Sequence, residues 1–453
     1  MDTIAAISTP LSPGALGVVR LSGEEAPEIA GRVFAAKSGK RLADVPGYTC
    51  LFGEVYDRDG TFDTCVATRF RAPKSYTGED VVELSCHGGP AVLKRLLAAC
   101  YAAGARAAKP GEFTRRAFLN GKMDLTQAES VMEMVSAEGA SALQAAHAGM
   151  EGKVSARITK LRDKLLALDA HLAAWADFPD EGIEEVEGKN LFENLRELEG
   201  ELSALLSEFD AGQLLRGGVR TVLAGRPNVG KSTLMNLLSG YEKSIVTSYP
   251  GTTRDVVEER VFLGDVPLLL ADTAGLRDAD DPVEQLGVAR TRQKLSGAQL
   301  ILAVFDASQP LTEEDEELVG LIGDTPCVAV LNKNDLPSLF PFDFLEKYFK
   351  TIVTLSAKSG AGFEALQNAV KEVLHLEKLD PNAGVLFTQR QRAAVERAKV
   401  HVHAAAEALA GGMTLDGVTI DVESALSAFY ELTGEKASEA VIDAVFETFC
   451  VGK

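Results

Sequence analysis

The spacing of apolar residues divides the chain into three textures. Up to residue 118, short strand-like runs alternate with Gly and Pro turns: Ala15–Leu21, Cys65–Phe70 and Val81–Ser85, with one helical pattern near Ala91–Ala103. This pattern predicts a compact α/β or α+β domain. From Leu125 to Leu215 strand signals vanish. Ile158, Leu161, Leu165, Leu168, Leu172 and Trp175 step by three and four residues, as do Leu191, Leu195, Leu198, Leu202, Leu205 and Phe209. Each series is one apolar stripe on a helix. Phe178-Pro179-Asp180-Glu181-Gly182 breaks the pattern between them, which predicts a long helical hairpin, and Glu184–Glu187 reads as a solvated acidic stretch. Residues 216–378 alternate strand and helix. Val219–Ala224, Val266–Ala271, Leu300–Phe305, Val328–Leu331 and Ile352–Leu355 each precede a loop and a helical pattern, the mark of a parallel sheet wrapped by helices. From Gln389 to Lys453 the chain reads as helical again.

Helical sequence thus brackets the α/β segment. The simplest organisation is an all-α domain interrupted by an inserted α/β domain, since insertion is tolerated where termini lie close together. The expected divisions are 1–118, 119–215 with 379–453, and 216–378. Two separate helical domains is the alternative.

Composition narrows the class. The chain has 453 residues, 46% hydrophobic and 25% charged, the balance of a folded multidomain protein. No apolar run is long enough to span a membrane, and no signal peptide is visible at Met1-Asp2-Thr3-Ile4. Six cysteines without a C-x-x-C pair argue against a disulfide framework or zinc ribbon and fit a cytoplasmic protein. The net charge of −20 argues against broad DNA binding, which requires phosphate neutralisation. It leaves room for a nucleic acid held by a local basic patch.

The chemistry sits in the α/β segment. Gly225-Arg226-Pro227-Asn228-Val229-Gly230-Lys231-Ser232 follows a strand and opens a helix near Thr233. Such a loop turns backbone N–H groups toward a polyphosphate, with Lys231 as point charge and the Ser232 hydroxyl available to Mg²⁺. Asp272-Thr273-Ala274-Gly275 closes a neighbouring strand. Its Asp is placed for the outer carboxylate of a Mg²⁺ site, and its Gly can donate a backbone N–H to a γ-phosphate. In Asn332-Lys333-Asn334-Asp335 the Asp can accept from N1–H and the exocyclic amine of guanine, which discriminates against adenine by roughly 10⁴. Ser356-Ala357-Lys358 can add a backbone N–H to the guanine carbonyl. The order matches a GTPase of the translation-factor class. Leu276 stands where Ras-like enzymes carry the glutamine that orients water. Thr247-Ser248-Tyr249-Pro250-Gly251-Thr252-Thr253 offers a switch loop whose Thr253 can bind Mg²⁺.

The G-box residues, together with Pro250–Asp255 and Asp272–Arg277, closely resemble the MnmE (TrmE) family of tRNA-modification GTPases. The resemblance extends over the whole chain: Gly17–Gly23, Tyr76–Leu84, His87–Pro90, Pro110–Lys122 and the terminal Phe449-Cys450-Val451-Gly452-Lys453, where Val451 replaces the usual Ile. These outer segments are the specific ones, because the boxes alone also fit an assembly GTPase of ribosomes or RNA. The resemblance implies an N-terminal folate-binding domain that pairs with its copy in a homodimer, a helical domain and an inserted Ras-like GTPase domain. It implies joint action with the FAD-dependent protein MnmG. Together they place an aminomethyl or carboxymethylaminomethyl group on C5 of the wobble uridine of certain tRNAs. The carbon comes from 5,10-methylene- or 5-formyl-tetrahydrofolate. It assigns Arg20, Glu83, Lys122 and Lys453 to the folate, K⁺ to Asn228, Thr247, Tyr249 and Thr252, and the ordering of water to Glu284, with Lys231 as the other catalytic group. Cys450 adjoins this one-carbon site, with packing its default role. His401 and His403 are two apart on a helix and do not form a metal pair, and His87 before Gly88-Gly89 fits a tight turn.

Overall fold

The computed structural model describes residues 2–177, 188–241, 259–270 and 297–453. The breaker Phe178–Gly182, the stretch Glu184–Glu187, the loop Thr247–Thr253, Asp272–Gly275, Leu276 and Glu284 lie outside the described residues. The chain divides into two compact units. One holds residues 1–132, 149–200 and 388–453, and the other holds 133–148 and 201–387.

In the first unit seven strands form one sheet: β1 (Ile4–Ile7), β2 (Leu16–Ser22), β3 (Phe34–Ala36), β4 (Thr49–Asp57), β5 (Gly60–Phe70), β6 (Val81–His87) and β7 (Arg106–Ala107). Their order is β3-β4-β5-β6-β2-β1-β7, antiparallel except for the β1–β7 edge. The choice between α/β and α+β therefore falls to α+β. One sheet face is covered by helices α1 (Ala26–Gly31) and α2 (Pro90–Ala102), burying Val19, Leu21, Val82, Leu84, Leu93 and Leu96. The pleat sends the alternate residues to the other face. There Phe52 pairs with Val66, Val66 with Ser85, and Ser85 with Val18.

Helices α3 (Glu112–Leu119), α4 (Leu125–Ser136), α5 (Ala140–Met150), α6 (Lys153–Asp177) and α7 (Gly188–Gly217) follow. On α6 the predicted stripe is buried at Ile158, Leu161, Leu165 and Leu172 and half-buried at Leu168, with the Trp175 side chain outside the described residues, and on α7 all six residues of the Leu191–Phe209 series are buried.

The second unit is built on β8 (Val219–Ala224), α8 (Lys231–Tyr241), β9 (Glu259–Leu263), β10 (Val266–Leu270), β11 (Leu300–Asp306), α9 (Glu313–Ile322), β12 (Cys327–Asn332), α10 (Phe342–Tyr348), β13 (Ile352–Thr354) and α11 (Phe363–Val373). The sheet order is β13-β12-β11-β8-β10-β9. Every pairing is parallel except β9 with β10. Strand β11 is buried along its whole length. Leu300, Leu302 and Val304 enter one core layer, and Ile301, Ala303 and Phe305 enter the other. Burial on both faces is why its sequence is a continuous apolar run. Each of these side chains larger than alanine contributes about 1.5–3 kcal/mol of transfer free energy. The antiparallel edge strand β9 was not legible in the alternation. It joins β10 through Gly264-Asp265, a two-residue hairpin connection with Gly264 at φ +61°.

The first unit closes with α12 (Gln389–Ala410), α13 (Leu415–Thr433) and α14 (Glu439–Glu447), and α13 packs on both α12 and α6. The expectation of helix to the last residue fails at the end: after Glu447 the chain leaves the helix, and Gly452 adopts φ +100°. A buried carboxylate ties α4 to the start of α12. Glu129 accepts from Thr388 Oγ1 at 2.9 Å, Arg390 Nε at 2.8 Å and Nη2 at 2.6 Å, and Gln391 Nε2 at 2.7 Å. Arg390 also donates to the carbonyls of Glu431 and Leu432 on α13. Removing one side of a buried pair strands the other charge. Glu129→Ala should therefore lower the stability of the first unit by about 3–5 kcal/mol. Scanning calorimetry should show one transition moved down, and calorimetric titration should show GTP affinity unchanged.

Candidate functional site

Strand β8 ends at Ala224 and the chain turns through Gly225–Gly230 into α8. Gly225 has φ +155°, and a Cβ there would stand 2.4 Å from the carbonyl oxygen of Val304, so no side chain fits. Lys231 Nζ donates to the carbonyls of Gly225 at 2.6 Å and Arg226 at 2.9 Å, which fixes the curl of the loop from inside. Val229 is buried beneath it, while Asn228, Ser232 and Thr233 are exposed. Ser232 and Thr233 lie in the first turn of α8, whose free N–H groups and dipole favour an anion. Asn228 has φ +63°, and its side-chain amide makes no hydrogen bond among the described residues. It is available to a cation.

The loops after β12 and β13 hold the rest. Asn332 is 2% exposed and spends both ends of its amide on the protein. Nδ2 donates to the Val229 carbonyl and Oδ1 accepts from the Ala357 N–H, each at 2.9 Å. It thereby holds the phosphate loop and the Ser356–Lys358 loop in one frame. Lys333, at φ +65°, donates to the Asn228 carbonyl at 2.8 Å and to Asp306 Oδ2 at 2.7 Å. Burial alone would push the Asp306 carboxyl up, but Lys333 and Ser308 outweigh it and hold it below its usual range. Asp335 is exposed and accepts from Ser356 Oγ at 2.6 Å. That hydrogen bond, with the nearby Lys358 and Lys333 charges, lowers its pKa and keeps it an acceptor. An ionised carboxylate has about four acceptor positions, so enough remain for two donors on a base.

Among the sequence candidates, Asn228–Thr233, Asn332, Lys333, Asp335 and Ser356–Lys358 are drawn together around this loop. Asp306 and Ser308 escaped the sequence reading. An Asp at the end of a wholly buried strand, followed two residues later by Ser, was the available signal.

A second cluster lies in the first unit. Arg20 on β2 and Glu83 on β6 are direct cross-strand partners, and Arg20 Nε donates to Glu83 Oε1 at 2.8 Å. The Arg20 guanidinium stands 5.6 Å from the Tyr76 ring centre and 5.7 Å from that of Phe113. The C-terminal tail closes over it. The Gly452 carbonyl accepts from Ser8 Oγ at 3.2 Å and Arg20 Nη1 at 3.4 Å, and the Phe113 N–H donates to the Lys453 carbonyl at 3.2 Å. A Cβ on Gly452 would sit 2.4 Å from the Ile7 carbonyl oxygen. Arg20 and Glu83 are therefore brought together with the Gly452 carbonyl, and Lys453 is placed by its backbone carbonyl at the Phe113 N–H. Lys122 is tied to the adjoining loop instead, donating to the Pro73 carbonyl at 3.1 Å. Tyr76 and Phe113 were not singled out by sequence reading, which had no cue to their packing on Arg20. All six cysteines are free thiols, with Cys450 exposed beside the docked tail.

Two family models match. The GTP-binding protein TrmE N-terminus covers residues 3–122, and the MnmE helical domain covers residues 125–450. The tRNA modification GTPase MnmE of Symbiobacterium thermophilum is 43% identical over 456 residues, that of Geobacillus kaustophilus 42% over 458, and that of Acetivibrio thermocellus 38% over 457. Each alignment covers 100% of this chain and 99% of the relative. The solved G domain of the T. maritima FeoB iron transporter is 28% identical, covering 34% of this chain and 98% of that one, at a TM-score of 0.26, too low to establish a shared fold. With similarity sustained from the first strand to the docked tail, the chain belongs to the MnmE family of tRNA-modification GTPases.

Proposed function

We propose that the chain couples GTP hydrolysis to one-carbon modification of C5 of the wobble uridine in tRNA, acting with MnmG and its FAD. The observation that carries the one-carbon half is the docked tail: the Gly452 carbonyl accepts from Arg20, itself paired with Glu83, where a purely GTP-switched binding protein needs nothing. The alternative of a ribosome or RNA assembly switch loses its basis with the family assignment. We retain the three-part division at 118, 215 and 378 as a functional one: folate and dimer contacts, helical scaffold, GTPase.

In the nucleotide site Lys231 and the first turn of α8 take the phosphates, and Ser232 with Thr253 holds Mg²⁺. Asp335 reads the base, with Ser356–Lys358 beside it. Leu276 cannot orient water. Asn228, Thr247, Tyr249 and Thr252 would hold K⁺, which would supply positive charge for the developing negative charge, and Glu284 would order the water. The uncommitted amide of Asn228 suits such an ion.

In the other cluster Arg20 and Glu83 offer a paired donor and acceptor to the pterin amide edge, and Lys122 and Lys453 serve the glutamate carboxylates. Tetrahydrofolate, when bound, supplies the one-carbon unit. The open face of the N-terminal sheet, with Phe52 57% and Val66 39% exposed, suits pairing with a second copy. Reduced thiols throughout agree with a cytoplasmic setting.

Three outcomes test this reading. Asp335→Asn should lower GTP affinity about a hundredfold or more and raise affinity for xanthosine nucleotides, because donor replaces acceptor; comparable GTP binding in the variant by calorimetry would remove Asp335 from base recognition. GTP hydrolysis should run markedly faster in K⁺ than in Na⁺ at equal ionic strength, and equal rates would refute the cation site. Deleting Cys450–Lys453 should weaken binding of 5-formyltetrahydrofolate and abolish modification in a reaction with MnmG, FAD and tRNA, with GTP affinity intact. Unchanged folate affinity would exclude the tail from the site.

A further inference from the structure

Helix α9 opens on five consecutive acidic residues, Glu313 to Glu317, and the fold buries one of them. Glu313, Glu314, Glu316 and Glu317 are exposed, while Asp315 is 1% exposed. Asp315 Oδ2 accepts from the Thr312 N–H at 3.1 Å and from Thr312 Oγ1 at 2.7 Å, which closes the first turn of the helix. Such a contact needs one oxygen and serves equally well at the surface. The other oxygen, Oδ1, is buried and has no hydrogen-bond partner among the described residues. A carboxylate taken out of water needs a counter-charge. Among the described residues that charge is Arg226 of the phosphate loop, whose Nε stands 3.4 Å from Asp315 Oδ2.

The G-x-x-x-x-G-K-S pattern leaves the position of Arg226 open, so phosphate geometry does not demand an arginine there. Its guanidinium turns into the protein, with the side chain 18% exposed and Nε and Nη2 buried. Its backbone faces the site. The Arg226 carbonyl accepts from Lys231 Nζ at 2.9 Å, beside the Gly225 carbonyl at 2.6 Å. An ammonium has three donors. Two of them are directed by these carbonyls, so the direction of the third is set with them. Gly225 is fixed from behind, because a Cβ there would stand 2.4 Å from the Val304 carbonyl oxygen. For Arg226, the polar contact that anchors it outside the loop among the described residues is its side chain on α9.

We propose that Asp315 is a positioning residue for the nucleotide: through the Arg226 side chain it fixes the carbonyl that aims Lys231 at the phosphates. This rests on the reading of Lys231 as a phosphate-binding group and adds the residue, on another helix, that directs it. A pair that only stabilises the domain affects every part of the site alike. A pair that acts through Lys231 loses its effect when Lys231 is absent.

The test uses the full-length protein. Arg226→Met with Asp315→Asn keeps the stem of one side chain and an acceptor for Thr312 on the other, and it strands no buried charge. Far-UV circular dichroism and the thermal midpoint should report this double variant folded. Calorimetric titration should show its GTP affinity about tenfold below wild type, the worth of one weakened hydrogen bond to a charged group. ITP, which lacks the exocyclic amine of guanine, should lose the same factor, so the preference for GTP over ITP stays at its wild-type value. In a Lys231→Ala background the same two substitutions should change GTP affinity by less than about twofold. Wild-type GTP affinity in the double variant overturns the proposal. So does a tenfold loss that persists without Lys231, or an altered preference between GTP and ITP, since either shows an effect that does not pass through the ammonium. Failure of the double variant to fold also overturns it, because the pair is then a support of the domain. If Lys231→Ala alone binds GTP as the wild type does, the phosphate reading of Lys231 falls, and the proposal with it.

Discussion

The structure depends on closing the chain across very long sequence separations. Glu129 and Arg390 are 261 positions apart, and their bond joins two parts of the first unit that flank the long segment between them. Closing so long a loop is costly in entropy, although the cost grows only slowly with length. A buried bidentate pair backed by Thr388, Gln391 and two carbonyl acceptors meets it with several charge-assisted hydrogen bonds at one point. The second closure, Gly452 on Arg20, spans 432 positions and depends on the first, because the tail reaches β2 only if α12, α13 and α14 are already packed. The candidate one-carbon site is thus a consequence of global folding and has no local precursor.

That difference sets what the sequence could disclose. The phosphate loop is a local object: eight consecutive residues between a strand and a helix, with Gly225, Gly230, Lys231 and Ser232 at the positions that backbone geometry and charge demand. It was legible, as were β8, β11 and the stripes on α6 and α7, because their periodicity is the periodicity of burial. Glu129 was illegible because an acidic residue on a helix is ordinarily a solvated charge, and only its partners at 388–391 make it a core residue. The hairpin β9–β10 was missed because a five-residue strand on an edge carries little alternation. The position of Arg20 opposite Glu83 follows from strand register, which sequence does not display. Family resemblance named both residues, and the register shows them joined. The tail was read as a continuing helix, but the helix stops at Glu447, and Gly452 at φ +100° lies in the non-helical end beyond it.

The Asn-Lys-Asn-Asp segment illustrates how a motif divides its labour. Conceived from sequence, it is a base-reading box. In the structure Asn332 is a brace whose amide is fully engaged inside the protein, and Lys333 is a strut between Asp306 and the Asn228 carbonyl. The Asn334 N–H bonds the Leu355 carbonyl and fixes the loop to the next strand. Asp335 alone presents its carboxylate outward. Three residues therefore position the fourth. On the proposed reading, discrimination of guanine would rest on one carboxylate and its sharpness on the rigidity of the braces, since an acceptor free to rotate would pair as well with water as with a base.

The two clusters use charge differently. Around the phosphate loop, Lys231 is held by carbonyls, Lys333 by Asp306, and Asp335 by Ser356 with acceptor positions to spare. Charges already engaged make that loop rigid, while the first-turn N–H groups of α8 stay open to an anion. Around Tyr76, Glu79 accepts from Ser22 and Arg116, and the Tyr76 ring lies against Arg20, so charge there fastens a loop to the sheet beneath it.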